Sequence, residues 1–331
     1  MTTSVAICTY NGSKYLSKQL ESFINQTKPV DEIIICDDGS TDSTSEIINQ
    51  FIKNNPYIKM KFIKNPFNLG YMRNFEQAIS LCSSDIIFLS DQDDIWMNDK
   101  VEIICNFFID NKDKDFVFTN AVLINNSDIN SYRKDLFQTI GWDKKNKKLF
   151  DDGFAYDILN TSARITGATT AIRASFIPYC IPFPYSFYAT LHDEMMAVSA
   201  AIYNKIGYIE KPLIKYRLHN TQAVGLSILF KFPPKRIELS LNSLMWHDVM
   251  VNNNDNYRIN HIRFVNKRFW TFRSKFGFIK LFTYYFSGEY NLYYSKPYIV
   301  FLRDLKSSIL NSTYKIYMFF TTKGLSKPEL I

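Results

Sequence analysis

The chain has 331 residues, which is more than a single core usually spans. Of these residues 46% are hydrophobic, enough to bury a sizeable core. We therefore expect one large domain with an appendage, or two domains. No apolar run is long enough to cross a bilayer and no signal peptide precedes the first predicted strand, so a cytoplasmic protein is expected. Five scattered cysteines argue against a disulfide framework or a zinc site.

The net charge of +7 is concentrated in the last third of the chain. Residues 1–225 contain 23 Lys and Arg against 26 Asp and Glu, whereas residues 226–331 contain 16 against 6 and hold 23 of the 53 aromatic residues. This change in composition predicts two domains, one at 1–225 and a basic, aromatic-rich, mainly helical region at 226–331.

The first half of the sequence alternates between predicted strands and helices. Apolar runs at 4–8, 32–36, 58–63 and 85–90 predict strands, and amphipathic patterns at 15–23, 43–52 and Tyr71–Leu81 predict helices. Ser43 and Glu46 have the spacing of a capping box at the start of the second helix. Strands separated by helices of this length imply right-handed crossovers, and therefore an α/β fold with a mostly parallel sheet.

Three of the predicted strands end in polar runs. The runs are Thr9-Tyr10-Asn11, Asp37-Asp38-Gly39-Ser40 and Asp91-Gln92-Asp93-Asp94. Ligands of parallel sheets bind beyond the carboxyl ends of the strands, so the three runs are expected at one edge. Carboxylates as close as Asp91, Asp93 and Asp94 repel one another, and a divalent cation held by oxygen ligands relieves that repulsion. The alternative is a solvated acidic turn that caps the next helix.

The polar runs also exclude one common class of nucleotide-binding enzyme. No glycine-rich dinucleotide fingerprint follows the first strand, which argues against a dehydrogenase. With carboxylates in place of a phosphate-cradling loop, phosphate groups would have to be held through a metal ion. A bound nucleoside diphosphate fits this pattern.

At this point an ordered series of motifs resembles a known family. The motifs are Val5-Ala6-Ile7-Cys8-Thr9-Tyr10-Asn11-Gly12, Gln26-Thr27, Asp37-Asp38-Gly39-Ser40-Thr41-Asp42, Asn68-Leu69-Gly70, Asp91-Gln92-Asp93-Asp94, Gly167-Ala168-Thr169, His192-Asp193-Glu194 and Tyr216-Arg217-Leu218-His219-Asn220. Over residues 4–225 the chain resembles family 2 glycosyltransferases with the GT-A fold. The later motifs resemble the bacterial branch with rhamnosyltransferase-like enzymes of surface polysaccharide assembly.

The resemblance implies a set of residues that bind the donor nucleotide. Asp38 would accept a hydrogen bond from the pyrimidine ring, Thr9 and Tyr10 would line that pocket, and Asp91 would face the ribose. Arg73 would reach the nucleotide or a phosphate. The alternatives are that Asp38 is a turn residue before Gly39, and that Arg73 is an exposed arginine at a helix start.

The resemblance also implies a metal site for Mn²⁺ or Mg²⁺. Asp93 would be the main ligand, with Asp91 and His219 as further ligands, and Asp94 would either support the site or cap the following helix. For His219, which we expect in a loop after a strand at 213–217, the alternative is a structural histidine.

The candidate catalytic base is Asp193. An inverting transfer needs a carboxylate that takes the proton of the acceptor hydroxyl as its oxygen attacks the anomeric carbon. His192 is expected to orient the loop, Glu194 to contact the acceptor or the scaffold, and Arg217 to neutralise the departing phosphate. Asp193 as a simple helix N-terminal residue is the alternative.

Taken together, the motifs predict an inverting, metal-dependent glycosyltransferase. Its donor would be a UDP- or dTDP-sugar, and its acceptor a growing cell-surface glycan such as capsule or O-antigen, in one version carried on a lipid. One rival is a metal-dependent phosphotransferase or phosphatase with Asp91 as nucleophile. The other is a non-catalytic module that binds glycan or membrane.

Two further segments carry predictions about partners. Residues 125–160 are predicted to be too polar for the core and to form a variable loop on the acceptor side, with a solvated basic loop as the alternative. The pattern at 262–276 predicts a basic, aromatic amphipathic helix, which suits contact with an anionic membrane at its cytoplasmic face. Packing on the catalytic domain or in a homo-oligomer is the alternative, and nucleic acid is not expected as a partner.

Overall fold

The computed structural model describes residues 1–130, 132–159, 165–183, 191–219, 277–288, 298, 301, 302 and 305. The chain divides into two compact units, Met1–Lys147 with Ala155–Trp246 and Lys148–Phe154 with His247–Ile331. The boundary predicted near residue 225 lies outside the described residues and stays a prediction.

The first unit contains an eight-stranded sheet. Its strands are β1 (Thr3–Thr9), β2 (Glu32–Asp37), β3 (Lys59–Lys64), β4 (Ile86–Ser90), β5 (Ile95–Trp96), β6 (Phe116–Ile124), β7 (Thr170–Arg173) and β8 (Ile206–Arg217), in the spatial order β3-β2-β1-β4-β7-β6-β8-β5. The first four strands are parallel, as predicted. Strand β7 is antiparallel to both β4 and β6, β6 is parallel to β8, and β5 is antiparallel to β8.

Helices connect these strands. They are α1 (Leu16–Ile24), α2 (Thr44–Asn54), α3 (Tyr71–Leu81), α4 (Lys100–Asp110), α5 (Leu136–Thr139), α6 (Lys144–Leu149), α7 (Ala155–Leu159) and α8 (His192–Ile202), with a π-helical turn at Phe150–Phe154 and 3₁₀ turns at Gly167–Thr169 and Ala174–Tyr179. The predicted capping box at α2 is wrong. The side chain of Ser43 makes no capping hydrogen bond, and Asp42 Oδ1 accepts the backbone N–H of Thr44 instead.

The central strands are buried along their whole length. Every residue of β2 and β4 is buried, including the polar Glu32, Asp37 and Ser90. A strand with near-continuous burial is typical of a parallel sheet that is covered on both faces. Because these strands are fixed by packing, the loops at their carboxyl ends begin from well-defined positions.

The prediction that residues 125–160 are too polar for the core is wrong. Leu136, Phe137 and Trp142 are buried, each no more than 2% exposed. The Trp142 ring packs edge-on against Phe118 of β6 at 5.1 Å between centroids and against Tyr208 of β8 at 5.4 Å. The buried aromatic side chains hold this part of the segment on the sheet, since such side chains bury large areas.

In the second unit the structure describes helix α9 (Gly277–Phe286). Leu281 is buried, whereas Ile279, Phe282 and Phe286 are exposed. The helix predicted at 262–276 lies outside the described residues. Among the helices that the structure describes, none has the length and apolar character needed to span a membrane.

Candidate active site

Asp38 lies directly after β2 and is almost completely buried. Its Oδ1 accepts hydrogen bonds from the backbone N–H of Leu69 at 2.7 Å and from Asn65 Nδ2 at 3.1 Å, and its Oδ2 accepts the N–H of Gly70 at 2.9 Å. Gly70 has φ +85°, a conformation that favours glycine. A carboxylate can accept about four hydrogen bonds, so one acceptor position remains on Oδ2 for a ligand. Asp38 therefore fixes the loop before α3 while keeping some capacity for a base.

Thr9 and Asp37 form a hydrogen-bonded pair at the ends of β1 and β2. Thr9 Oγ1 donates to Asp37 Oδ1 at 2.7 Å, and the N–H of Ser40 donates to Asp37 Oδ2 at 2.9 Å. Both side chains are buried. The hydroxyl of Thr9 thus ties the two strand ends together in this structure.

Tyr10 is held through its backbone by the side-chain amide of Gln92. The N–H of Tyr10 donates to Gln92 Oε1 at 2.8 Å, and Gln92 Nε2 donates to the carbonyl of Tyr10 at 3.0 Å. A Cβ on Gly12 would lie 2.1 Å from Gln92 Oε1, so only glycine leaves room for this amide. The ring of Tyr10 is 46% exposed. We call this pair of hydrogen bonds the Tyr10–Gln92 clamp; it connects the loop after β1 to the acidic loop after β4.

The acidic loop, residues Asp91–Asp94, is crowded with negative charge. Burial, together with the charges of Asp93 and Asp193, raises the pKa of Asp91 to about 8, against the opposing charge of Lys100. Burial raises the pKa of Asp94 well above its ordinary value, with Asp93 and Asp91 acting in the same direction. Asp94 Oδ1 accepts the backbone N–H of Arg217 at 2.9 Å, whereas its buried Oδ2 has no hydrogen-bond partner among the described residues. The charge of Lys100 opposes these rises without cancelling them.

Asp93 and His219 meet at this loop. Asp93 Oδ2 lies 2.7 Å from His219 Nε2, and the His219 ring lies 5.3 Å from that of Tyr15. A carboxylate oxygen and an imidazole nitrogen are both ligands of divalent metals. No group of three or more His, Cys, Asp or Glu residues within the described ranges is arranged to hold a metal. The two residues fit a cation whose remaining ligands come from phosphate oxygens and water, which is the usual situation for Mg²⁺ at nucleotide sites.

Arg217, predicted to face the departing phosphate, is placed beneath the acidic loop. Its side chain is completely buried, and Nε donates to the carbonyl of Asp93 at 2.6 Å. Nη1 donates to the carbonyl of Asn125 at 2.8 Å, and Nη2 lies 2.6 Å from Asp128 Oδ1. The guanidinium also covers the ring of Tyr15 at 4.4 Å from its centroid. In this structure, Arg217 fixes the backbone that carries Asp93.

Asp193 lies in the first turn of α8, as predicted, and is buried. Its Oδ2 accepts the N–H of Gly167 at 2.5 Å, and its Oδ1 accepts the N–H of Glu194 at 2.8 Å. Burial, together with the charge of Asp193, raises the pKa of Glu194 to about 8. A Cβ on Gly167 would approach Asp193 Oδ2 at 3.2 Å, so this glycine permits a close contact.

His192 packs within a group of aromatic rings. Its ring stacks on Phe75 at 4.0 Å between centroids and lies 6.3 Å from the ring of Tyr71. Both ring nitrogens are buried and have no hydrogen-bond partner in the described part of the chain. Burial lowers the pKa of His192, so the neutral imidazole is favoured.

Lys100 is a completely buried lysine beside the acidic loop. Its Nζ donates to the carbonyl of Ala168 at 2.9 Å and lies 4.0 Å from the centre of the Trp96 ring. Burial lowers the pKa of Lys100 to about 7, although the charges of Asp94 and Asp91 oppose this shift.

Sequence reasoning placed the acidic loop, Asp193 and His219 but missed several residues that hold them. Arg73 is exposed in the first turn of α3, where a nucleotide role stays a prediction. For Gln92 the signal of a structural function was weak: it is a single amide among carboxylates, and an amide can both donate to and accept from a backbone. Lys100 gave a clearer one: Ile104 and Phe108 follow it at helical spacing, which places it on the buried face of α4. Nothing in the sequence indicated that Asp128 would meet Arg217.

The fold and site define a class of protein. A parallel nucleotide-binding half, an acidic loop after β4 and a separate carboxylate at the start of α8 are the arrangement expected of a sugar transferase with the GT-A fold. The sequence profile described as Glycosyl transferase family 2 matches residues 4–175. The chain belongs to this family and is a glycosyltransferase.

Individual relatives agree with this assignment. The chain is 33% identical over 252 residues to a protein of Shigella flexneri named dTDP-rhamnosyl transferase RfbG, covering 71% of this chain and 79% of that protein. It is 34% identical over 122 residues to a chondroitin synthase of Pasteurella multocida, which is only 12% of that protein. Among solved structures, Staphylococcus aureus TarS 1–349 in complex with UDP-GlcNAc superposes with a TM-score of 0.55 at 18% identity, over 81% of this chain and 73% of that one. This last likeness concerns the GT-A fold.

Proposed function

We propose that this chain transfers a sugar from a nucleoside diphosphate donor to a hydroxyl group of a growing cell-surface glycan, with inversion at the anomeric carbon. The observation that carries the proposal is a pair of acidic groups that act on each other electrostatically. Asp91 lies in the loop that also brings Asp93 to His219; its pKa is raised first by burial, then by the charge of Asp93 and then by that of Asp193 on α8. A donor bound at the acidic loop would present its anomeric carbon to an acceptor bound at Asp193.

The donor class is supported by the relative from Shigella flexneri. Because that protein is named a dTDP-rhamnosyl transferase and is similar over most of its length, dTDP-rhamnose is the first donor to test. UDP-sugars are the second class, since Asp38, Thr9 and Tyr10 would recognise a pyrimidine without separating uracil from thymine. Tyr10, whose ring is exposed, is the residue available to stack on the base.

Asp93 and His219, together with Asp91, are the residues that would hold Mn²⁺ or Mg²⁺, and the cation would supply positive charge to the leaving diphosphate. Within the chain, Arg217 holds the carbonyl of Asp93, and Lys100 lies beside the acidic loop. These residues keep the acidic loop in place while the donor binds.

Asp193 carries the proton transfer. The acceptor hydroxyl oxygen attacks the anomeric carbon as the bond from that carbon to the diphosphate oxygen breaks, and the hydroxyl proton passes to the Asp193 carboxylate. Each carboxylate oxygen of Asp193 receives one backbone N–H, which leaves acceptor capacity for that proton. Attack opposite the leaving group inverts the anomeric configuration.

The first experiment is donor hydrolysis without an acceptor. Purified protein is incubated with dTDP-rhamnose and a panel of UDP- and dTDP-sugars, with Mn²⁺, with Mg²⁺ and with chelator, and the released nucleoside diphosphate is measured. We expect release from one donor, dependent on metal and reduced at least roughly 100-fold in Asp93→Asn. A matched control is Asp99→Asn, an exposed-face aspartate that pairs with Lys211.

Full release in the presence of chelator, or full release by Asp93→Asn, would overturn the metal-dependent mechanism. Release of inorganic phosphate with an aspartyl-phosphate trapped on Asp91 would instead support the phosphotransferase alternative. If no donor is hydrolysed, calorimetric binding of UDP and dTDP decides between a strict need for acceptor and a non-catalytic module.

For the region at 226–331 we propose contact with an anionic membrane, because of its 16 basic residues against 6 acidic ones and its many aromatic residues. Ile279, Phe282 and Phe286 are exposed on α9 and offer an apolar surface. Replacing these three residues by serine should reduce flotation with vesicles rich in phosphatidylserine. Unchanged flotation would favour packing on protein or homo-oligomer formation.

A further inference from the structure

A buried lysine lies next to the proposed machinery, and the steps above give it no part in the proton transfer. Lys100 is 0% exposed, which is rare for lysine unless the side chain has a specific partner. Its Nζ donates to the carbonyl of Ala168 at 2.9 Å, and the two residues are 68 positions apart in the sequence. Trp96 covers the same ammonium at 4.0 Å from its ring centre. A flexible side chain is therefore held in one conformation, at a cost in side-chain entropy.

The partner of Lys100 is the 3₁₀ turn Gly167–Thr169, and this turn holds the proposed base. The N–H of Gly167 donates to Asp193 Oδ2. Two carbonyls of the turn region have partners nearby in sequence: that of Thr166 accepts from the N–H and hydroxyl of Thr169, and that of Gly167 accepts from the hydroxyl of Thr170. The carbonyl of Ala168 is instead held by Lys100, from a different element.

The acidic loop also acts on Lys100 electrostatically. The charges of Asp94 and Asp91 favour its protonated form, although burial lowers its pKa more strongly. Lys100 is the first residue of α4, and this helix follows the acidic loop and the short strand β5 along the chain. One side chain therefore interacts with both the loop expected to hold the donor phosphates and the turn that holds Asp193.

We propose that Lys100 is a positioning residue that sets the place of Asp193 relative to the acidic loop. It does so by fixing the Ala168 carbonyl, and with it the Gly167 N–H that binds the Asp193 carboxylate. This inference rests on the proposed role of Asp193 as the base. Its consequence is that loss of Lys100 slows the chemical step more than it weakens donor binding.

Methionine is the variant that isolates this function. Lys100→Met keeps an unbranched side chain of similar length in the buried site but cannot donate to Ala168. The Ala168 carbonyl then has no partner from α4, and the turn can shift. A displacement of about 1 Å at a catalytic group can reduce the rate by up to roughly 100-fold.

The experiment compares Lys100→Met with Val101→Ala. Val101 is the next residue of α4 and is also fully buried, so its truncation controls for loss of packing and stability. For both variants we would measure the thermal midpoint, kcat and KM for donor, calorimetric binding of UDP or dTDP with Mn²⁺, and amide hydrogen exchange of the peptide that spans Gly167–Thr169. We expect kcat to fall by roughly 10- to 100-fold in Lys100→Met with nucleotide affinity within about threefold of the parent. Exchange at the turn should rise in Lys100→Met and not in Val101→Ala.

Asp193→Asn is measured alongside, so that the two proposals can fail separately. If Asp193→Asn keeps full activity, the proposed base is wrong. If Asp193→Asn is inactive while Lys100→Met retains its kcat and its exchange pattern, the positioning function of Lys100 is wrong. Equal losses of kcat in Lys100→Met and Val101→Ala would also overturn it, because they would reflect general destabilisation.

Discussion

Buried carboxyl groups lie at both ends of the parallel strands, and their pKa values are shifted in opposite directions. At the amino end, Glu32 is buried, which would raise its pKa, but hydrogen bonds from Lys59, Ser4 and Ser83 outweigh burial and lower the pKa to about 2. At the carboxyl end, burial and neighbouring carboxylates raise the pKa values of Asp91 and Glu194 to about 8. Hydrogen-bond donors of the fold outweigh burial at Glu32, whereas at Asp91 the charge of Lys100 does not outweigh burial and the neighbouring carboxylates.

This difference separates structural carboxylates from functional ones. A carboxylate with donors from its own fold stabilises the folded state. Carboxylates that crowd one another destabilise it, and such a cluster is a common property of sites that bind a cation or transfer a proton. The variants below test whether the amino end affects only stability and the carboxyl end mainly activity.

The largest effect is expected from Asp193→Asn. The amide cannot take up the acceptor proton, so kcat should fall by roughly 100- to 10,000-fold. Binding of the donor nucleotide should be retained. The measurement is steady-state transfer together with calorimetry. Asp31→Asn at the amino end is the control. Asp31 accepts hydrogen bonds from Thr3 and has no part in the proposed reaction. Equal losses in the two variants would contradict the comparison.

Gly167→Ala should come next in size. Its Cβ would lie 3.0 Å from His192 Nε2 and 3.2 Å from Asp193 Oδ2, so the base must move by a few tenths of an ångström. We expect kcat to fall by roughly 10-fold or more. Gly207→Ala is a matched control, since its Cβ would press on the ring of Phe107, and it should reduce stability without affecting kcat. Unchanged kcat in Gly167→Ala would show that the base tolerates this displacement.

A smaller effect is expected from Gln92→Ala, which removes the Tyr10–Gln92 clamp. Two hydrogen bonds to backbone are lost, at about 0.5–1.5 kcal/mol each, so KM for donor should rise by roughly 10-fold with a smaller change in kcat. Gln50→Ala is the control. Among the contacts described, Gln50 makes one hydrogen bond, to Asn54 four residues later on an exposed helix face. A KM equal to that of the parent would mean that Tyr10 does not bind the donor.

The smallest effects on activity are expected from two substitutions that change the free energy of unfolding. The change should have opposite signs at the two ends of the parallel strands. Because the folded-state pKa of Glu32 is lowered from 4.5 to about 2, its contribution is present above pH 4.5 and is lost as the pH falls toward 2. Glu32→Gln should reduce the free energy of unfolding at neutral pH by roughly 2–3 kcal/mol and flatten this acid limb, with kcat unchanged. Chemical denaturation as a function of pH provides the measurement.

Glu194→Gln is the counterpart at the carboxyl end. Its pKa is raised from 4.5 to about 8, so ionisation of the parent side chain reduces stability as the pH rises through this range. The glutamine variant should be more stable than the parent at pH 8 by roughly 1–2 kcal/mol and equally stable near pH 4. A variant less stable than the parent at pH 8 would contradict the comparison, as it would show that Glu194 is satisfied within the fold.

The sequence predicted the parallel half well because its signals are local. β1, β2 and β4 are apolar runs followed directly by the polar loops of the candidate site, so the pattern of residues 4–94 indicates both the strand and what lies at its end. The boundaries of α3 match the prediction fully. Asp193 and His219 were also placed correctly, at the start of α8 and in the loop after β8.

The rest depended on contacts that are distant in sequence. Strand β7 inserts antiparallel between β4 and β6, which no local pattern in its four residues indicates. The same holds for Arg217, whose partner Asp128 is supplied by a turn after β6. The segment at 125–160 was misjudged because its few buried aromatic residues are separated by charged ones.

The Tyr10–Gln92 clamp has a consequence for changing the donor preference of this enzyme. The loop after β1 and the loop after β4 are joined by a reciprocal amide contact that also depends on Gly12 having no side chain. A chimera that imports only residues 9–12 from a relative would therefore bring in a backbone without its matching amide. Under the proposed function, we therefore expect that nucleotide specificity can be exchanged only when both loops are transplanted together.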